Sequence, residues 1–186
     1  MLSSISIILS HPSHPGNIGA VARAMKNMGL TQLRLICPRK FPDEAAFERA
    51  SGADEILQQA RIYPSLKAAI GDLHWLYGTS ARMREFPWPQ LNPKATAIKI
   101  IKSTQNQQNV GILFGNEQSG LSNDELAHCD FHVSIPTQAN FSSLNLAAAV
   151  QVLAYEIFMA FEQNLASPPC IMGEKASKQQ ILTLFE

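Results

Sequence analysis

The chain has 186 residues, 46% hydrophobic and 16% charged, a composition that suits one globular domain with a sizeable buried core. Its fifteen basic and fifteen acidic residues cancel, which excludes recruitment of nucleic acid by a global positive field and leaves only a local patch or a surface shared between two chains. The three cysteines, Cys37, Cys129 and Cys170, lack C-x-x-C spacing, which argues against a zinc knuckle or a disulfide framework and fits a reducing, cytoplasmic setting.

In chain order, Ser4 to Leu9 is an apolar run without a basic flank, stopped by His11-Pro12, and reads as a buried first strand rather than a signal peptide. A helix follows near Ile18 to Met28, with Asn17 placed to cap it. Next come a strand at Leu33 to Ile36, helical pieces within Ala45 to Gln59, a helix at Leu66 to Ile70 and a strand at Leu73 to Tyr77. The second half reads as a helix at Lys94 to Lys102, a strand at Val110 to Phe114 and a helix at Asn123 to His128 with an acidic first turn. A strand at Phe131 to Ile135 and a long helix from Asn145 complete it. The apolar stretch Leu144 to Phe161 contains Asn145, Gln151 and Glu156, so it reads as a buried helix and not as a membrane span.

Alternation of Val/Ile/Leu-rich strands with helices predicts an α/β fold, with a mostly parallel sheet covered by helices on both faces and an active crevice at the carboxyl ends of the strands. Ala166-Ser167-Pro168-Pro169 breaks the pattern. Residues 1–163 are therefore expected to form the domain, and residues 164–186 a linker and the start of a truncated C-terminal extension.

Three segments carry candidate chemistry. Pro15-Gly16-Asn17-Ile18-Gly19-Ala20 turns from a strand into a helix, and Arg23 projects from that helix's second turn. Tyr77-Gly78-Thr79-Ser80-Ala81-Arg82-Met83-Arg84 offers hydroxyls and amides to a ligand and two guanidinium groups to phosphates; it reads equally as a polar turn with solvated arginines. Phe114-Gly115-Asn116-Glu117-Gln118-Ser119-Gly120-Leu121 lacks the Lys-Ser/Thr of a P-loop, and Ser119 is not in a G-x-S-x-G elbow. The first loop also lacks G-x-G-x-x-G, so a hydride-transferring dinucleotide enzyme has no fingerprint here. The five histidines show no metal-ligand spacing, and no metal site is expected.

Taken in order, these segments with Ile135-Pro136 and Ser142-Ser143-Leu144-Asn145-Leu146-Ala147 resemble the three motifs of SPOUT-class RNA 2'-O-methyltransferases of the TrmH-like superfamily. Gly78 to Arg82, Pro87-Trp88-Pro89 and the helix residues Ala148, Val150, Gln151, Val152, Ala154, Tyr155 and Glu156 are most similar to the bacterial TrmJ type, which methylates the ribose of cytidine or uridine 32 in the tRNA anticodon loop. The resemblance implies a C-terminal trefoil knot and S-adenosyl-L-methionine as cofactor. The matching cofactor residues are Thr79, Ser80, Ala81, Gly115, Asn116, Gly120, Ile135, Ser142, Ser143 and Leu144. It also implies that Arg23, Asn17, Ser143, Asn145 and Glu117 shape the catalytic site; with an RNA substrate, Arg23 is expected to orient its phosphate or ribose, and Arg82 and Arg84 to meet its phosphates. A homodimer through the C-terminal helix region is implied as well. The alternatives are methylation of another tRNA or rRNA site, and a non-catalytic RNA-binding protein on the same fold.

Overall fold

The computed structural model describes residues 1–81 and 89–163. Its elements are β1 (Ile5–Ser10), α1 (Pro15–Asn27), β2 (Gln32–Ile36), α2 (Glu44–Ala50), α3 (Asp54–Gln58), β3 (Arg61–Tyr63) and α4 (Leu66–Ile70). They continue with β4 (Trp75–Thr79), β5 (Gln90–Leu91), α5 (Pro93–Gln105), β6 (Val110–Phe114), α6 (Asn123–Ala127), β7 (Phe131–Val133) and α7 (Leu146–Glu162). The strands form one sheet in the order β3-β2-β1-β6-β4-β7-β5, and every adjacent pair is parallel.

Parallel pairing needs crossovers, and crossovers bury both faces of the sheet. All six residues of β1 are accordingly buried. Side chains alternate between the faces: Ile5, Ile7 and Leu9 pack into a core with Ile18, Val21 and Met25 of α1, Ala46 and Ala50 of α2, and Val150, Leu153 and Ile157 of α7. Ile8 points the other way, with Ile36, Leu76 and Leu113, beneath Ala69 of α4 and Leu126 of α6. Each such isoleucine contributes roughly 1.5–3 kcal/mol by leaving water.

Polar positions within the sheet are paired. Arg34, in β2, is only 5% exposed. Its Nη2 donates to Asp72 Oδ2 at 2.8 Å, Nη1 to the Ala69 carbonyl at 2.6 Å and Nε to Ser6 Oγ at 3.1 Å. Such pairing offsets the desolvation that burying a guanidinium costs.

The chain runs outward from β1 through β2 to β3, then returns to build β4, β6 and β7 on the other side, with β6 inserted between β1 and β4. A crevice opens beside such a reversal, at the edge where all the carboxyl ends lie. The alternating α/β architecture matches the expectation, and two short strands, β3 and β5, add to it. Asn17 is not the helix cap: the cap position is His14, Pro15 opens α1, and Asn17 lies inside the first turn. At α6 the cap is Ser122, one residue before Asn123, in a reciprocal capping box with Glu125. Among the described residues no helix is long and apolar enough to cross a membrane. Arg82, Arg84, Trp88 and residues 164–186 lie outside the described residues.

Candidate active site

At the carboxyl edge of the sheet, the segments that follow β4, β6 and β7 and the first turn of α7 enclose a cavity of about 340 Å³. Thr79, Ser80 and Ala81 line it from the end of β4, and Gly115, Asn116, Glu117 and Gly120 from the turn after β6. Ile135 lines it beyond β7, and Ser142, Ser143 and Leu144 ahead of α7. The structure thus gathers around one cavity all ten residues that the motif resemblance assigns to the cofactor. Val133, Leu146 and Ala149 add apolar wall, while Gln118 and Ser119 add polar wall.

The turn after β6 is closed by its own backbone. Asn116 and Gly120 form an antiparallel bridge, and the Gly120 amide donates to the Asn116 carbonyl at 2.8 Å. Gly120 sits at a φ of 69°, where L side chains are strained. A Cβ on Gly115 would fall 2.1 Å from the Gly120 carbonyl carbon and 2.2 Å from the Leu121 nitrogen, so only glycine fits. The Asn116 side chain is engaged on both sides: its Oδ1 accepts from the Gln118 amide of the same turn at 2.9 Å, and its Nδ2 donates across to the His11 carbonyl, after β1, at 2.7 Å.

Glu117 ties this turn to the loop that opens α1. Its Oε2 accepts from the Ser13 amide (2.9 Å) and hydroxyl (2.7 Å), and its Oε1 from the His14 amide (3.2 Å) and Asn17 Nδ2 (3.0 Å). The carboxylate therefore serves α1, whose own cap position supplies no side-chain bond, as a cap from a distant part of the chain. Burial alone would raise its pKa, but the hydrogen bonds from Asn17 and Ser13 outweigh that and hold the carboxyl at about 2.

The chain of bonds continues to α7. Asn145 Nδ2 donates to Asn17 Oδ1 at 3.2 Å, while Asn145 Oδ1 caps α7 by accepting from the Ala147 amide at 2.9 Å and the Ala148 amide at 3.4 Å. Every bond in the series points one way, from the α7 amides through two side-chain amides to Glu117. Asn145→Asp preserves a capping oxygen but turns a second acceptor toward Asn17 Oδ1. Flipping Asn17 then sets its oxygen against Glu117. We expect Asn145→Asp to lose about 1–2 kcal/mol in urea unfolding, no less than Asn145→Ala, although aspartate caps helices as well as asparagine. Wild-type stability for the aspartate variant would contradict the directed series.

Of the residues assigned to catalysis, Glu117 and Ser143 line the cavity, and Asn17 and Asn145 stand behind it in the bonded series. Arg23 is exposed on α1, outside the cavity lining. Two of the donors in the turn after β4 are already engaged within the fold. The Thr79 hydroxyl donates to the Leu113 carbonyl at 3.0 Å, and the Ser80 amide donates to the Val133 carbonyl at 3.0 Å, so neither proton is free for a ligand. Both bonds extend the grip of β4 on its neighbours. Sequence reasoning missed Ser13, whose bond to Glu117 spans 104 residues and leaves no local signal. Leu146 and Ala149 were legible in principle, since an i, i+3 pair shares one helix face.

The cavity joins apolar surface to hydroxyl, amide and carboxylate groups, at a size that suits a ligand with a flat apolar part and several polar atoms. Glu117, ionised at any physiological pH, is too weak a base to draw a proton from a hydroxyl. It organises the site electrostatically.

Comparison with known proteins gives the family of the chain. The tRNA (cytidine/uridine/adenosine-2'-O-)-methyltransferase TrmJ of Pseudomonas aeruginosa is 50% identical over 161 residues, which cover 87% of this chain and 63% of that protein. The chain thus spans less than two-thirds of that relative's length. A probable methylase family protein from Haemophilus influenzae superposes with a TM-score of 0.83 at 40% identity, covering 100% of this chain and 77% of its own. TrmJ from Z. mobilis gives a TM-score of 0.79 at 43% identity over 82% of this chain and 67% of that one. The SpoU rRNA Methylase family matches residues 4–155, from the start of the sheet into α7, and the chain belongs to that family.

Proposed function

We propose that this chain methylates a ribose 2'-hydroxyl of tRNA, with S-adenosyl-L-methionine as the methyl donor and cytidine or uridine 32 of the anticodon loop as the target. The observation that carries this reading is the mixed apolar and polar cavity at the carboxyl edge, walled by the Gly115 turn and bonded through Glu117, Asn17 and Asn145 to two helix starts. The 50% identity to a tRNA 2'-O-methyltransferase supports tRNA as the substrate. Position 32 rests on the motif resemblance, as does a trefoil knot formed by the C-terminal segments.

The residues present fit the donor. Leu144, Leu146, Ala149 and Val133 offer a dry surface for the adenine, and Ser142, Ser143 and the Gly115 to Gly120 turn offer polar groups to the ribose and amino-acid parts. When bound, S-adenosyl-L-methionine supplies a methyl group on a sulfonium, so the new C–O bond forms as the C–S bond breaks and the hydroxyl proton leaves. Arg23 orients the substrate and stabilises the emerging alkoxide; a guanidinium that is always protonated accepts no proton, which passes to water or a nearby acceptor. Positioning accounts for much of the rate.

Arg23 is exposed on α1 and absent from its own chain's cavity lining, an arrangement that fits a homodimer in which it reaches the partner's cavity. Phe141 is 84% exposed and Tyr155 48%, which leaves apolar surface beside and along α7 for such a contact. Light scattering should give a dimer at micromolar concentration, and an active monomer would overturn that part of the reading. Titration calorimetry with S-adenosyl-L-methionine tests the cavity: saturable binding is expected in wild type and in Arg23→Lys, with methyl transfer lost only in the variant. A wild-type chain that binds no cofactor would contradict the proposal.

A further inference from the structure

Around α1, α2 and the segment before α2, exposed cations divide into two kinds. Lys26 pairs with Glu55 at 2.6 Å, and Lys40 with Asp43 at 2.7 Å. Arg39 and Arg49 are exposed and, among the described residues, have no carboxylate at ion-pair distance. Glu48 precedes Arg49, but successive residues on a helix do not face each other.

The Arg39 backbone and the Arg49 stem lie beside the loop that binds Glu117. The Arg39 amide donates to the Pro12 carbonyl at 3.1 Å, and the next residue, Ser13, holds Glu117 through both its amide and its hydroxyl. A Cβ on Gly16 would lie 3.5 Å from Arg49 Cγ, so the Arg49 stem crosses the first turn of α1 one residue from Asn17. Arg23 follows Gly16 by seven residues, about two helical turns, and so continues the same stripe of α1.

We propose that Arg39 and Arg49 form a phosphate-binding rim that holds the RNA strand flanking the target nucleotide against the loop of residues 11–17. This rests on the RNA methyltransferase reading above. A chain of zero net charge must concentrate its attraction for RNA locally, and exposed guanidinium groups with no ion pair among the described residues suit phosphate oxygens, which they engage with two parallel N–H bonds. The rim acts on substrate placement and leaves the cofactor cavity untouched.

The test measures binding of an unmodified tRNA to the full chain across a salt series, together with methylation kinetics, for Arg39→Ala, Arg49→Ala and the double variant. Lys67→Ala, which removes an exposed cation on α4, serves as the control. Each arginine variant should weaken tRNA binding about 3–10-fold and reduce the slope of log affinity against log salt by about 0.7–0.9. The change should appear in KM for tRNA, with kcat at saturation within about twofold of wild type and cofactor affinity unchanged. Arg49→Lys should restore the salt slope, which a purely packing role for the stem would not govern. If the double variant matches wild type in slope and KM while wild type methylates tRNA, the rim is refuted and the methyltransferase reading stands. An equal loss in Lys67→Ala would also refute it, since the effect would then belong to net charge. A wild-type chain that neither binds nor methylates tRNA would remove both.

Discussion

Gly115→Ala should abolish cofactor capture and destabilise the fold by about 2–3 kcal/mol, at the upper end of the usual cost of overpacking. The added methyl would stand 2.1 Å from the Gly120 carbonyl carbon and 2.2 Å from the Leu121 nitrogen. Both are backbone atoms of the same closed turn, so no rotamer change relieves the clash. The turn must open, which strains the Asn116–Gly120 bridge and displaces Glu117 from the donors it holds. Thermal melts and calorimetry separate the two effects: a lower melting temperature with no detectable cofactor binding is expected at a temperature where the variant is still folded. A variant that binds S-adenosyl-L-methionine with wild-type affinity would show that the turn does not wall the site.

Glu117→Gln should cost about 1.5–3 kcal/mol at neutral pH, in the range of a lost hydrogen-bond set to a charged group, and the deficit should fade on acidification. Both carboxylate oxygens accept from N–H or O–H donors, so whichever way the glutamine turns, its NH2 faces donors. The folded carboxyl titrates at about 2 against an ordinary value of 4.5. A depressed folded pKa means that its stabilisation is complete above pH 4.5 and is lost as the pH falls through about 2. Wild type and variant should therefore differ most above pH 5 and converge near pH 2. Parallel stability curves across that window would contradict the role given to the carboxylate. Methyl transfer by the variant should fall with a similar pH independence between 6 and 9, because Glu117 organises the site and does not exchange the proton.

Much of the sheet was legible because its strands are buried on both faces and read as short Val/Ile/Leu runs. The strand Val110–Phe114 coincides with its expected limits, as does the helix Leu66–Ile70. β3 and β5 were not, since three and two residues are too short to carry a period. Asn17 illustrates the limit of local reasoning. An asparagine after Pro-Gly reads as a cap, yet its amide answers to Glu117 and Asn145, 100 and 128 positions away. Asn145 combines both kinds of role, capping α7 locally while bonding Asn17 across the fold. The residues gathered around the cavity were legible from motif order, because turns at strand ends need small residues wherever the backbone meets a ligand. Ser13 had no such mark, and the exposed Arg39 and Arg49 became interpretable only once the Arg39 backbone bond to Pro12 and the Arg49 stem beside Gly16 were known.

The cavity is proposed to deliver a methyl group to a tRNA ribose. This transfer is tested most directly by incubating the full chain with S-adenosyl-L-methionine and unmodified tRNA, then locating the modified nucleotide by mass mapping of nuclease fragments. One cofactor-dependent ribose methylation is expected, at nucleotide 32 of the anticodon loop, absent with Arg23→Lys and with Gly115→Ala. Methylation at another ribose would move the target and leave the chemistry in place, whereas a methylated base, or no transfer by a chain that binds both cofactor and tRNA, would contradict it.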